Sequence, residues 1–198
     1  LLVGYNGARN TGADARVVAL VQQLSEEFGN QIEITVMTLN SDNIKGYFPE
    51  NVRILPFPTF FCWSLLRAAS THHAALLCEG STLTHTFADA LSMFFCQAAG
   101  IMKKQGKPCI AYGSDVTTLH HRLARLSKQM CSDVQFIARS QSALQVLHDM
   151  GLRCHLGTDT AWTFTIPQER NCGQQIITNQ GWDGKKPLLG VAVINPHC

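Results

Sequence analysis

Two rhythms of apolar and polar positions take turns along this chain. From Thr11 to Phe28 the apolar set Val17, Leu20, Val21, Leu24 and Phe28 repeats at helical spacing, and Gly29-Asn30 closes it. Ile32 to Leu39 alternates apolar and polar, the mark of a half-buried strand. Leu1 to Tyr5 and Val52 to Phe57 read as further strands, the second stopped by Pro58, and Phe60 to Ala69 as a short helix. Ala74 to Cys78 is a compact apolar run ahead of Glu79-Gly80-Ser81. Thr86 to Lys104 then predicts a long helix whose stripe runs through Phe87, Leu91, Phe94, Phe95, Ala98 and Met102.

The alternation continues. Pro108 to Tyr112 is strand-like, and Leu119, Leu123, Leu126 and Met130 mark a helix with His120, His121, Arg122 and Arg125 outside. Val134 to Ala138 reads as a strand, Ser140 as the N-cap of a helix that stops at Gly151, and Leu152 to Leu156 as another strand. Strand and helix in turn predict an α/β fold: a Rossmann-like, mainly parallel sheet with helices on both faces. Residues 1–162 would form that domain. From Thr163 to Pro187 the texture becomes rich in Gln, Asn and Gly and reads as a linker. Leu188 to Ile194 would be the first strand of a second domain, truncated at Cys198. The chain opens at Leu1 without an initiator Met, so it reads as an excerpt of a longer protein.

Composition narrows the class. Charged residues are 15% of the 198 and hydrophobic ones 45%, which excludes disorder and allows a sizeable core. A net charge of +2 is too balanced to make nucleic acid or an anionic membrane the main partner. The longest uncharged runs, between Arg53 and Arg67 and between Asp89 and Lys103, are thirteen residues each. A bilayer span needs roughly 20, so no integral membrane segment is expected. The eight cysteines form no CxxC pair, and several lie inside apolar runs such as Leu77-Cys78 and Phe95-Cys96. They read as small buried hydrophobes in a reduced, cytoplasmic compartment, with no zinc-ligand spacing.

In an open parallel sheet, ligands bind beyond the carboxyl ends of the strands. The first such end is Asn6-Gly7-Ala8-Arg9-Asn10-Thr11-Gly12-Ala13-Asp14. Its glycines let backbone approach a ligand, and the helix that follows presents N–H groups to an anion. The alternative is a tight turn in which Thr11 or Asp14 satisfies those N–H groups. The spacing of Gly4, Gly7 and Gly12 fits neither a dinucleotide fingerprint nor a Walker loop. Later ends bring Glu79-Gly80-Ser81, Gly113-Ser114-Asp115, Arg139-Ser140 and Gly157-Thr158-Asp159-Thr160. A carboxylate there can take a sugar hydroxyl or a proton. Arg139 can grip a carboxylate or phosphate, or pair with Asp115 or Asp159. His72-His73 and His120-His121 read as surface or loop residues, while His85 precedes a helix near the cleft. Phe57, Phe60, Phe61 and Trp63 read as core or as a domain contact.

Several of these segments, in this order, resemble the polysaccharide pyruvyl transferase family. They are Gly4-Tyr5-Asn6-Gly7-Ala8-Arg9-Asn10-Thr11-Gly12, Phe87-Ala88-Asp89-Ala90-Leu91 and Cys96-Gln97-Ala98-Ala99-Gly100. Gly106 to Ser114, Phe136 to Ser140 and Leu156 to Ala161 complete the likeness, which runs from Val3 to about Pro196. The resemblance implies transfer of a pyruvyl group from phosphoenolpyruvate to sugar hydroxyls, forming a cyclic ketal on a cell-surface glycan or its precursor. It implies a fold similar to two-domain glycosyltransferases of the B type, with this chain as the N-terminal half and inactive alone. Phosphoenolpyruvate would be a co-substrate, with no further cofactor and no metal, and the sugar acceptor would be nucleotide- or lipid-linked. Arg9, the Gly7 to Gly12 loop and Arg139 would meet the anion; Glu79, Asp115 or Asp159 would move protons or contact hydroxyls. The rival readings are a nucleotide-sugar glycosyltransferase on the same fold and a non-catalytic module that binds a glycan or a protein.

Overall fold

A computed structural model of the chain describes residues 1–56, 61–78, 80–84, 89–165 and 172–191. The chain divides into two compact units, Leu1–Phe164 and Thr165–Cys198. In the first unit the strands are β1 (Leu2–Val3), β2 (Thr35–Thr38), β3 (Arg53–Pro56), β4 (Ala75–Leu77), β5 (Ser81–Leu83), β6 (Cys109–Val116), β7 (Gln135–Ala138) and β8 (Cys154–Leu156). The helices between them are α1 (Thr11–Phe28), α2 (Phe61–Thr71), α3 (Asp89–Lys104), α4 (His121–Met130) and α5 (Gln141–Asp149). The strands form one eight-stranded sheet in the order β3-β2-β1-β4-β6-β7-β8, with β5 also paired to β6. Every pairing among them is parallel.

Strand periodicity divides the core into two layers. Leu2 packs with Val17, Leu20 and Val21 of α1, while its neighbour Val3 points the other way. Val3 shares its layer with Leu65 and Ala69 of α2, Phe94 and Phe95 of α3, and Leu147 of α5. A single helix therefore covers one face, and the other faces a nearly continuous helical layer. In α3 the apolar stripe is broad because α2 and α4 flank it. Gly100 lets α4 approach, since a Cβ there would meet the Met130 side chain.

β1 and β4 are neighbours at the centre, yet β1 continues outward to β2 and β4 continues to β6 on the opposite side. That reversal is a topological switch point, where a crevice opens at the carboxyl ends. Around it several expectations need correction. β6 runs eight residues, so Gly113, Ser114 and Asp115 lie within the strand and not after it. Pairing with β4 ends at Ala111, and β5 takes over the same strand at Asp115 and Val116. Ser81 thus begins a strand where a helix-entry loop was expected, because the open edge of the long β6 captures it. Gly113, at φ +67°, sits where the β6–β7 register shifts between Tyr112 and Ser114.

In the second unit, α6 (Cys172–Asn179) is a helix inside the stretch that composition marks as a linker. Leu188 to Val191 form no strand and are exposed, with Leu189 at 89%. Ala192 to Ile194, the rest of that expected strand, lie outside the described residues, as do Phe57, Phe60, Glu79, His85 and Phe87.

Candidate functional site

The β1–α1 loop is sealed by its own residues. Asn10, in extended backbone at φ −102°, is the N-cap of α1. Its Oδ1 accepts the N–H of Gly12 at 3.1 Å and of Ala13 at 3.2 Å, and its carbonyl accepts the N–H of Asp14 at 3.0 Å. Asp14 does not cap; its buried Oδ1 accepts the Gly7 N–H at 2.9 Å. The cap is thus one residue before Thr11, and the N–H groups of Gly7, Gly12 and Ala13 are already engaged. Gly7 is required by its φ of +77° and by the nearness of β2, since a Cβ there would lie 2.6 Å from the Asn40 carbonyl oxygen.

Two features of the loop carry a cost. Arg9 is exposed and left-handed at φ +59°, the one such non-glycine residue among those described. Asn6 is 1% exposed, and neither its Oδ1 nor its Nδ2 has a hydrogen-bond partner. Both sit at the switch point, beside the carboxyl end of the central strand.

The ends of β6, β7 and β8 carry a different arrangement. Arg139 donates from Nε at 3.1 Å and Nη2 at 2.7 Å to Asp115 Oδ2, and from Nη1 at 2.9 Å to Asp159 Oδ2. Both pairings open to Arg139 in the sequence are therefore made at once. Arg16, which lies on α1 and not at a strand end, donates from Nε to Asp159 Oδ1 at 2.8 Å and from Nη2 to Asp159 Oδ2. Its guanidinium lies against Gly80, where any Cβ would overlap it. Gly80 also accepts, through its carbonyl, the Asp115 N–H. The sequence signal for Arg16 was a lone cation three residues after Ala13 and four before Leu20, on the buried side of α1.

Asp159 is the hub. Both its oxygens are used: Oδ1 by Arg16 and the Ala161 N–H at 3.0 Å, and Oδ2 by Arg16 and Arg139. Burial alone pushes its carboxyl upward, but Arg16, the Ala161 N–H and Arg139 outweigh that and hold it below its ordinary 3.8. Burial likewise works against the charge of Arg139, and its two carboxylates outweigh it and raise it. Asp115 is less committed. Arg139 grips its Oδ2, while Oδ1 receives only the Ser140 hydroxyl, at 3.3 Å. Arg139 spends three of the five N–H donors of a guanidinium on these bonds.

The remaining named residues fall into supporting places. Ser114 is fully buried and accepts the Thr82 hydroxyl at 2.9 Å across β5 and β6. The Gly157 and Thr160 segment packs over the β6 bulge, with the Thr158 carbonyl 3.3 Å from a Cβ built on Gly113. Thr160 is 2% exposed, with its hydroxyl unpaired. Among the described residues, Thr11 and Ser81 contribute no side-chain bond to this cluster. A depression of about 350 Å³ between α5 and β8, lined by Leu144, His148, Cys154 and Leu156, involves none of these residues. Among the described residues no three His, Cys, Asp or Glu side chains converge as metal ligands. No described helix is long and apolar enough to cross a membrane.

Fold and edge together define a Rossmann-like α/β protein with a polar cluster at the carboxyl end of its sheet. Compared with known proteins, the chain matches no family model, no curated protein and no solved structure.

Proposed function

We propose that this chain forms one wall of a transferase site that moves a pyruvyl group from phosphoenolpyruvate to two hydroxyls of a sugar in a cell-surface polysaccharide or its precursor. The observation that carries the reading is Asp115 beside Arg139: a carboxylate whose Oδ1 holds no more than the Ser140 hydroxyl, at 3.3 Å, next to a guanidinium with unspent donors. Asp115 Oδ1 would accept the attacking hydroxyl. Arg139 and exposed Arg9 would meet the carboxylate and phosphate of the donor. Asp159, saturated by two arginines, would position them and carry no proton. The sum closes: the methylene carbon gains a proton, two C–O bonds form at the adjacent carbon, and phosphate leaves. Of the two hydroxyl protons, one ends on carbon and the other on phosphate.

The second reading is a glycan-binding module without chemistry. It is favoured by the balance of the cluster, in which, among the described residues, Arg16 and Arg139 face Asp115 and Asp159, two cations against two carboxylates. One experiment separates them: phosphate release from phosphoenolpyruvate by the full-length protein against nucleotide- and lipid-linked sugars. The expected result is acceptor-dependent release that Asp115→Asn lowers about a hundredfold, with far-ultraviolet circular dichroism confirming that the variant folds. Glycan binding without release overturns transfer in favour of the module. Release of a nucleotide from a sugar donor, without phosphate from phosphoenolpyruvate, would move the assignment to a glycosyltransferase.

A further inference from the structure

The net charge of +2 conceals a local imbalance on the helical layer formed by α2, α3 and α4. α4 contains no acidic residue, and Arg122, Arg125 and Lys128 are all exposed. They lie three residues apart, so each stands next to a like charge on one helix face. Arg122 also occupies the first turn, where the helix dipole disfavours cations. Among the described residues none of these three cations has an ion-pair partner. Acids on neighbouring segments are bonded to other groups: Asp89 binds His120, the N-cap of α4, Asp133 lies beside Lys103, and Asp149 accepts from Gln145. On α2, flanking the other side of α3, Trp63 is 79% and Leu66 42% exposed, with Arg67 exposed beside them. Met93, at the start of α3 between the two, is 50% exposed.

Local stability alone accounts for neither half of this surface. Like charges in series weaken α4, and Trp63, at 79% exposure, buries little apolar area in return for its place on α2. We infer that the outer face of α2 to α4 is a peripheral docking surface for a bilayer containing anionic phospholipid. Trp63, Leu66 and Met93 would enter the interfacial zone, and Arg67, Arg122, Arg125 and Lys128 would face the lipid phosphates. Charge complementarity selects an anionic surface. The apolar trio selects a lipid over a nucleic acid, because Trp63 is set apart from the α4 cations by α3 and does not interleave with them as a base-stacking residue does. The inference deepens the proposed function, since a lipid-linked sugar acceptor lies on such a surface. Its test needs no turnover, so the two can fail separately.

The test is co-sedimentation of the full chain with vesicles of phosphatidylcholine alone or of equal parts phosphatidylcholine and phosphatidylglycerol. Binding is expected only to the anionic vesicles, and to fall with added salt. The triple variant R122Q/R125Q/K128Q should lower partition about a hundredfold, each charge contributing about a factor of five. Trp63→Ser should lower partition with the charges intact, and far-ultraviolet circular dichroism should confirm that both variants fold. Absence of binding to anionic vesicles, or binding that both folded variants retain, overturns the proposal. Retention of RNA or duplex DNA by the same three cations, without vesicle binding, overturns it in favour of a nucleic-acid surface.

Discussion

The β1–α1 loop and the charge cluster beyond β6 to β8 share one edge of one sheet and are held together in opposite ways. In the loop, the Gly7, Gly12 and Ala13 N–H groups are met by side chains within seven residues, as Gly7 is by Asp14. In the cluster, Arg16 reaches Asp159 across 143 positions and Arg139 reaches Asp115 across 24. The loop meets its backbone donors locally and leaves the Asn6 amide unpaired. The cluster is assembled only when the sheet forms, and there every charge finds an opposite.

The largest expected effect comes from breaking the long-range half. Arg16→Met should lower stability by about 3 kcal/mol, because it leaves Asp159 partly buried with one of its two cations gone. The unfolding midpoint in urea measures it. Titration sharpens the same point. The Asp159 carboxyl is depressed in the folded state, so its contribution is complete above the ordinary 3.8 and is lost as pH falls through the depressed value. Arg16→Met should flatten that acid limb as well as lower the plateau. An unchanged acid limb would mean that Arg139 alone holds the carboxylate.

Breaking the local half should cost less. Gly7→Ala puts a side chain at φ +77° and into contact with the Thr38 hydroxyl and the Asn40 carbonyl. A loss of about 2 kcal/mol is expected, since left-handed strain adds to a clash that the loop can partly relax. The same midpoint reports it, and a loss larger than that of Arg16→Met would reverse the ranking of the two regions.

What the sequence made legible follows the same division. The bounds of α1 could be read from Val17, Leu20, Val21 and Leu24 because helical periodicity is local. The parallel α/β plan followed from alternation alone. Strand β5 could not be read, because Ser81 to Leu83 become a strand only by meeting β6 from far along the chain. Asp115 stands out in the sequence as a strand-end carboxylate, yet it lies inside β6, whose length is set by pairing with β5. Arg16 was passed over because its partner is 143 residues away, although a cation beside Leu20 on a buried helix face was a usable sign. Asn10 was overlooked as the cap because Thr11 and Asp14 are equally good capping types, and only backbone conformation chooses among them.

The smallest effect is the sharpest test of the comparison, and it runs in the opposite direction. Asn6 is 1% exposed, and both polar atoms of its amide lack a partner. An unpaired buried polar group costs about 1–3 kcal/mol, while an apolar group of similar shape costs nothing of the kind. Asn6→Leu should therefore stabilise the fold, by about 1 kcal/mol after allowing for imperfect packing beside Gly4. If the amide serves a substrate, the same variant should raise the KM for the donor or acceptor while the protein melts higher, since groups kept at a cost to stability gather where function needs them. A lower melting temperature would show that an internal water already bonds the amide. The loop would then be as fully satisfied as the cluster, and the two regions would differ only in how far along the chain their partners lie.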